Sequence, residues 1–311
     1  MTEIVVIGGG PAGLSAALVC ARRGLDTTVI EKRSFPVIKA CGEGLMPGGV
    51  DSLKRLVPQE LINKIEYHQF AGIRYIAPNG ECASGYFGKG DGWGIERSEL
   101  SKLLSQAVEQ EPGINILENT VATVEGSAEQ PIVHFNSKTL RPKLLIAADG
   151  LHSPIRRWAE LNGPPSKLKR WGLRQHYQIT PWTNLVEVHW SKDMEAYVTP
   201  VSPNTVGIAV LSHRELISSW QKPISLKETL HVFSNLGPKL LSSEAKDQLI
   251  GIGPLHQTVK RTGTGKVVLV GDAAGYLDAI TGEGISNAME QALLIDRILK
   301  KQKEKPSIDE L

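Results

Sequence analysis

Cysteine is scarce in this chain: Cys20, Cys41 and Cys82 are the only three. They are too scattered for a disulfide framework and lack the close pairing of a zinc site. A reducing compartment, the cytoplasm, is the expected location. No apolar run approaches the roughly 20 residues that cross a bilayer. A transmembrane segment is therefore not expected, although peripheral membrane contact stays open. The first β-rich run starts at residue 3, which leaves no room for a signal peptide. Neither sign of charge dominates, with 35 Lys+Arg against 33 Asp+Glu. No basic block interleaved with aromatics occurs, so a nucleic-acid partner is not expected. The eight histidines are scattered and form no metal-ligand set, which leaves them ordinary surface or core roles. There is no internal repeat and no low-complexity tract.

What is abundant is glycine, at 31 residues, which favours tight turns and close backbone approach to a ligand. Hydrophobic residues at 41% and charged residues at 22% make an ordinary globular composition. A chain of 311 residues is long enough for one large layered domain or two intimate ones.

Residues 3–7 read as a buried strand, 8–13 as a glycine turn, 14–23 as a small-residue helix and 27–30 as a second strand. Residues 73–77 and 82–86 flank Pro78-Asn79-Gly80 and read as a hairpin. Residues 93–96 read as a strand leading into a helix over 98–109. Further strands are expected over 114–117, 121–125, 132–135 and 144–148. From about 167 to 210 the apolar residues alternate, as in an antiparallel sheet with one wetter face. Helices are expected over 225–235 and 238–249, a buried strand over 267–270 and a last helix from about 284 to 301.

The turn Gly8-Gly9-Gly10-Pro11-Ala12-Gly13 lies between strand and helix, where its residues have physical roles. Gly8 permits the tight turn, Gly10 lets a pyrophosphate approach the backbone, and Gly13 lets helix and strand pack closely. Pro11 suits a first helical turn, where its missing N–H costs nothing. The helix N-terminus offers free N–H groups and positive dipole to phosphates. Glu31 lies 18 residues past Gly13, where a carboxylate accepts hydrogen bonds from ribose hydroxyls and disfavours a 2′-phosphate. Two distant segments separate FAD from NAD. One strand delivers Asp149-Gly150 and another delivers Gly271-Asp272. In a parallel sheet such strand ends converge on the ligand crevice. Asp272 there suits a ribityl hydroxyl, which NAD lacks.

These motifs, with the continuation of Asp149-Gly150 to Arg156, resemble the flavoprotein hydroxylase superfamily over nearly the whole chain. That superfamily includes p-hydroxybenzoate-hydroxylase-like monooxygenases, flavin-dependent halogenases and geranylgeranyl reductases. The resemblance implies an α/β fold with a Rossmann-type FAD-binding domain interrupted by a mainly antiparallel β-sheet substrate domain. The expected FAD-binding parts are residues 1–66, 91–166 and 255–311; the substrate parts are 67–90 and 167–254. It further implies cofactor contacts at Ala12, Lys32, Arg33 and Val121. Arg97 resembles the family's flavin-contacting arginine, against the plainer reading of a helix-surface side chain.

Two segments resemble the geranylgeranyl-reductase-like branch. Lys39-Ala40-Cys41-Gly42-Glu43-Gly44-Leu45 is similar to the Cys-Gly motif placed beside the flavin ring. Gly271-Asp272-Ala273-Ala274-Gly275 followed by Thr281-Gly282-Glu283-Gly284-Ile285 is similar to its second signature. Gly282, Gly284 and Ile285 are thus expected at the ring, where the start of the last helix favours negative charge on reduced flavin. Many aromatic hydroxylases carry His where Gly275 stands, and the reductases usually carry Pro where Ala279 stands.

The implied enzyme is an FAD-dependent oxidoreductase moving a hydride between flavin N5 and a hydrophobic, isoprenoid- or polyketide-like small molecule. An FAD monooxygenase of an aromatic or polyketide-like molecule is the alternative. NAD(P)H is the expected transient electron donor. Cys41 is the catalytic candidate, shaping or protonating the substrate; its other reading is a small buried hydrophobe. Glu43 reads as a loop carboxylate in preference to a proton relay, and Tyr197 as sheet packing in preference to cavity lining.

Overall fold

Residues 4–7 and 144–147 are short apolar runs and 27–30 a β-branched one, all without alternation, the pattern of strands covered on both faces. The computed structural model describes residues 3–165, 170–213, 226–233, 235–240, 243–279 and 282–304. In it these runs lie at the centre of a six-stranded sheet. The spatial order is Gly263–Thr264, Val267–Leu269, Leu144–Ala147, Ile4–Ile7, Thr27–Ile30 and Ile114–Leu117. All neighbours are parallel except the first pair. The helix Pro11–Arg22 crosses one face, with everything from Ala12 to Ala21 buried. Its small side chains let it sit in one core with the helices Pro47–Leu56, Arg97–Glu109 and Gly284–Glu304, through Leu14, Leu18, Leu53, Leu103 and Met289. On the other face Val133 and Phe135, from a three-stranded meander, cover Val5, Leu145 and Leu269.

A second sheet of eight strands stands over the carboxyl edge of the first. Its order is Glu244–Ala245, Arg170–Gln178, Thr205–His213, Met194–Ser202, Leu185–Trp190, Gly72–Ile76 and Cys82–Tyr86, with Ile250–Ile252 also paired to Arg170–Gln178. The pairs are antiparallel except Leu185–Trp190 on Gly72–Ile76. Alternation sorts the side chains. Met194, Ala196, Val198, Ile208 and Val210 pack under Leu226, Leu230, Phe233 and Leu240. Val188, Tyr197 and Leu211 point the other way and pack with Leu151 and Leu255, next to the first sheet's strand ends.

The expected hairpin is present, as the antiparallel pair Gly72–Ile76 and Cys82–Tyr86. The expected helices over 225–235 and 238–249 are not. One α-turn (Leu226–Thr229) passes into short 3₁₀ turns, and Glu244–Ala245 and Ile250–Ile252 become strands; residues 225, 234, 241 and 242 lie outside the described set. The open edge of Arg170–Gln178 recruits the later segment. The strand expected over 121–125 begins later, at Thr123–Ser127, because Thr120 N–H is held by Glu31 O at 2.9 Å. The strand expected over 93–96 is Gly92–Gly94, since Glu96 already caps the helix Arg97–Glu109. Among the described residues no helix is long and apolar enough to cross a membrane.

The glycine turn is locked by packing. A Cβ on Gly13 would lie 1.9 Å from Gly8 O, and one on Gly8 would lie 2.2 Å from Ala148 O. Gly13→Ala is therefore expected to lower unfolding stability by about 2–3 kcal/mol or more, measured by urea denaturation of the cofactor-free protein.

Candidate active site

The parallel register creates the crevice. Gly8, Glu31, Ala148 and Val270 each follow a strand of the same direction, so four segments open at one edge. Their turns are cross-tied: Gly8 N–H donates to Ile30 O at 2.9 Å, Ala148 N–H to Ile7 O at 2.8 Å, and Val270 N–H to Ala147 O at 2.9 Å. Arg156, fully buried, closes the far end. Its guanidinium donates to Leu151 O (2.8 Å) and Ala273 O (3.0 Å), and so joins the Asp149-Gly150 and Gly271-Asp272 loops.

Gly10 differs from the other two glycines of the turn. Its φ of −76° suits any residue, and a Cβ there would meet only Arg97 Nη2, at 4.0 Å. Nothing in the protein requires glycine at this point; a ligand approaching the helix N-terminus does. Arg97 points to the same ligand. It is 4% exposed, so the helix-surface reading is overturned. Its Nη1 has no hydrogen-bond partner among the described residues. A buried cation beside a positive helix end needs an anion, and a pyrophosphate supplies one.

Glu31 is buried, and its carboxylate accepts from Gly9 N–H at 2.6 Å and Arg33 N–H at 3.1 Å, so it braces the turn. Lys32 is exposed, and Arg33 Nη1 donates to Ile38 O at 3.0 Å. Val121 is exposed and follows the tethered Thr120, which sets it beside the acid. Asp149 Oδ2 accepts from Ile155 N–H at 3.1 Å, while Oδ1 is buried without a partner among the described residues; burial raises this carboxyl above its ordinary value. Gly150 follows at φ +85°. Asp272 pairs with Lys39 at 2.5 Å. Gly271, at φ +60°, packs on Ala12. Gly282 has φ +65°, Gly284 opens the last helix and Ile285 packs on the main core; Thr281 lies outside the described residues. The orphaned Arg97 and Asp149 atoms and the open space at Gly10 fit FAD.

The Cys41 loop lies where the two sheets meet. Gly42 O accepts from Thr199 Oγ1 of the second sheet at 2.7 Å. Cys41 is partly exposed, and its Sγ accepts from Glu43 N–H at 3.3 Å. Burial, then the Glu43 carboxylate, raises its thiol above the ordinary value, so the S–H form dominates at neutral pH. Glu43 is not a plain loop carboxylate. It is 2% exposed at φ +61°, with Oε1 accepting from Arg97 N–H at 2.8 Å and Oε2 lying 2.6 Å from His176 Nε2. His176 in turn contacts Asp247, 2.9 Å from Nδ1, and Arg174 packs against both. Burial opposes charge on the ring, but Asp247 and Glu43 outweigh it and raise the His176 pKa to about 9. Asp247 is lowered to about 2: the His176 hydrogen bonds hold its charge despite burial. His176, Arg174 and Asp247 escaped the sequence reading. The one signal was the period-two spacing of Arg174 and His176, which puts two polar side chains on one strand face. Tyr197 packs in the apolar cluster of the second sheet, among Val188 and Leu211.

A glycine turn, a buried arginine without an anion and two acid-bearing strand ends define a flavin dinucleotide-binding protein of Rossmann type. The profile of the FAD binding domain family matches residues 1–303, and the chain belongs to that family. It is 27% identical over 320 residues to digeranylgeranylglycerophospholipid reductase 1 of Methanothermobacter thermautotrophicus, covering 95% of this chain and 76% of that protein. Two solved structures share the fold. CmlS, a flavin-dependent halogenase, superposes with TM-score 0.86 at 22% identity, over 97% of this chain and 59% of that one. PqsL, a probable FAD-dependent monooxygenase from Pseudomonas aeruginosa, does so with TM-score 0.82 at 18% identity, over 99% and 88%. The resemblance to the flavoprotein hydroxylase superfamily and its geranylgeranyl-reductase-like branch is borne out, and the protein is an FAD-dependent oxidoreductase.

Two outcomes are expected. Gly10→Val leaves cofactor-free stability within about 0.5 kcal/mol of wild type but weakens FAD binding at least about tenfold by fluorescence titration. His176 has a raised pKa, so its stabilisation is complete below pH 6.5 and is lost as pH rises through about 9. The urea stability advantage of wild type over His176→Gln, on the order of 3 kcal/mol at pH 6, therefore shrinks by pH 9.5.

Proposed function

We propose that the protein is a reductase of the geranylgeranyl-reductase type, acting on a hydrophobic, isoprenoid- or polyketide-like small molecule. The observation that carries this is the contact of the Cys41-Gly42 loop with Thr199. It ties the loop that carries a protonated thiol to the strand face of Thr199 and Tyr197, and Tyr197 packs with Val188 and Leu211. The similarity to a curated reductase supports the same reading.

When bound, FAD supplies a hydride from N5 of its reduced ring. The glycine turn, Pro11, Ala12 and Arg97 hold the pyrophosphate, Glu31, Lys32, Arg33 and Val121 the adenosine end, and Asp149, Gly150, Gly271 and Asp272 the ribityl region. Gly42, Gly282, Gly284 and Ile285 border the ring. Cys41 gives the substrate its proton as S–H, and the apolar wall excludes water. NAD(P)H serves as transient electron donor. Residues 1–66, 91–166 and 255–311 serve the cofactor, while 67–90 and 167–254 shape the substrate space. Ile38 and Leu277, exposed apolar side chains next to Lys39 and Tyr276, suit peripheral contact with a lipid surface.

The second reading, a monooxygenase, draws on the fold shared with PqsL. One experiment separates them. Reduced enzyme mixed anaerobically with geranylgeraniol is expected to form saturated product without oxygen. Product that appears only after an oxygen pulse, and carries oxygen, replaces the reductase reading. Cys41→Ala is expected to lower kcat by roughly 10²–10⁴-fold with FAD stoichiometry unchanged; unchanged turnover removes Cys41 from the mechanism.

A further inference from the structure

Lys39 reaches across the crevice from the segment that leads into Cys41. Its Nζ lies 2.5 Å from Asp272 Oδ2. A Cβ on Gly150 would lie 3.9 Å from the same nitrogen. The ammonium therefore sits between the loops that follow Leu144–Ala147 and Val267–Leu269. It is also within electrostatic reach of Cys41: burial and the Glu43 carboxylate raise that thiol, and the Lys39 charge pulls against them.

The strand order decides which half of a dinucleotide meets it. Glu31 follows Thr27–Ile30, the glycine turn follows Ile4–Ile7, and the two loops at Lys39 follow the next two strands on the far side. Neighbouring strands lie about 4.8 Å apart. With the adenosine end at Glu31 and the pyrophosphate on the turn, the flavin half lies along Gly150 and Asp272. Arg156 and Lys39 both border that half, and they differ. Arg156 spends its donors inside the protein, on Leu151 O, Ala273 O, Asn162 Oδ1 and Gln257 Oε1, and so holds the loops. Lys39 is 33% exposed, and one of its three N–H donors is on Asp272. The other two have no partner among the described residues. A pair this exposed adds at most about 1 kcal/mol to stability. Holding the fold is therefore a poor account of Lys39, whose charge and spare donors are open to a ligand between the loops.

We propose that Lys39 holds the negative charge that reduction adds to the flavin ring, and so sets the reduction potential of the bound cofactor. The proposal rests on the placement of Asp272 at the ribityl chain and Gly42 at the ring; Lys39 pairs with the first and lies three residues before the second. A hydride from a nicotinamide donor, or two electrons and one proton from another reductant, leaves a neutral ring with one negative charge. A cation in a partly buried crevice stabilises that charge more than water does. Asp272 keeps the lysine in place and offsets its charge while the ring is oxidised and neutral. A reductase and a monooxygenase both need a flavin that accepts electrons, so the effect serves either reading.

The test is the ratio of affinities for reduced and oxidised FAD, read as the midpoint potential of the FAD-loaded protein against a reference dye during slow anaerobic reduction. Lys39→Met is expected to lower that ratio at least about tenfold, a fall of about 30 mV, and Lys39→Arg to keep most of it. Lys143→Met removes the same charge at the other end of the strand Leu144–Ala147. Solvent screens a charge at that distance, so the ratio is expected to stay within about twofold of wild type. A lysine that only braces Asp272 strengthens both redox forms alike, so an unchanged ratio in Lys39→Met overturns the proposal. An equal fall in Lys143→Met overturns it too. If Lys39→Met and Lys39→Gln both fail to hold oxidised FAD, Lys39 is a binding residue and the proposal falls. The placement of Asp272 is checked apart: Asp272→Ala is expected to weaken oxidised FAD at least about tenfold by fluorescence titration. Undiminished affinity there overturns the placement, and the Lys39 ratio then decides the proposal alone.

Discussion

Glu43 is the contact on which the arrangement of the site depends. One carboxylate accepts the first N–H of the helix Arg97–Glu109, meets His176 of the second sheet, and sits in the loop that carries Cys41. It is buried, and a buried carboxylate is stable only while its partners stay in place. Moving the loop, the helix or the strand therefore exposes or orphans a charge. The three are held together by electrostatic necessity as much as by packing.

The charges around it balance. Glu43 and Asp247 bring two negative charges; Arg174 brings one positive charge, and a protonated His176 the other. Deprotonating the ring leaves a net negative cluster inside the protein. The same balance does not extend to Arg97, whose Nη1 stays without a partner among the described residues. One part of the site is complete within the chain, and the other is complete only with an anion.

Most of the cofactor crevice was legible in the sequence. Glycines, an acid at a strand end and buried apolar runs are local signals, and parallel pairing converts them directly into a shared edge. The fold class was legible for the same reason. The Glu43 network was not, because its members lie 133 residues apart for Glu43 and His176 and 71 for His176 and Asp247. No spacing rule links a loop carboxylate to a strand histidine across two sheets. The helices expected over 225–235 and 238–249 failed differently. The demand of an open sheet edge decided the outcome in the later segment. Arg97 was correctly placed at a helix start, yet its burial arises from elements far along the chain.

The order of the strands in the six-stranded sheet also bears on how the molecule is assembled. Ile4–Ile7 pairs with Leu144–Ala147, which pairs in turn with Val267–Leu269. The second sheet is equally discontinuous, since Gly72–Ile76 waits for Leu185–Trp190. Such pairings close long loops before they gain any contact, and the entropy of closure makes them slow. On the ribosome the glycine turn emerges long before the Asp272 wall of its crevice. The cofactor site therefore cannot be completed until that wall has left the ribosome. Until then the chain carries unpaired apolar strand edges, the kind of surface that folding chaperones cover.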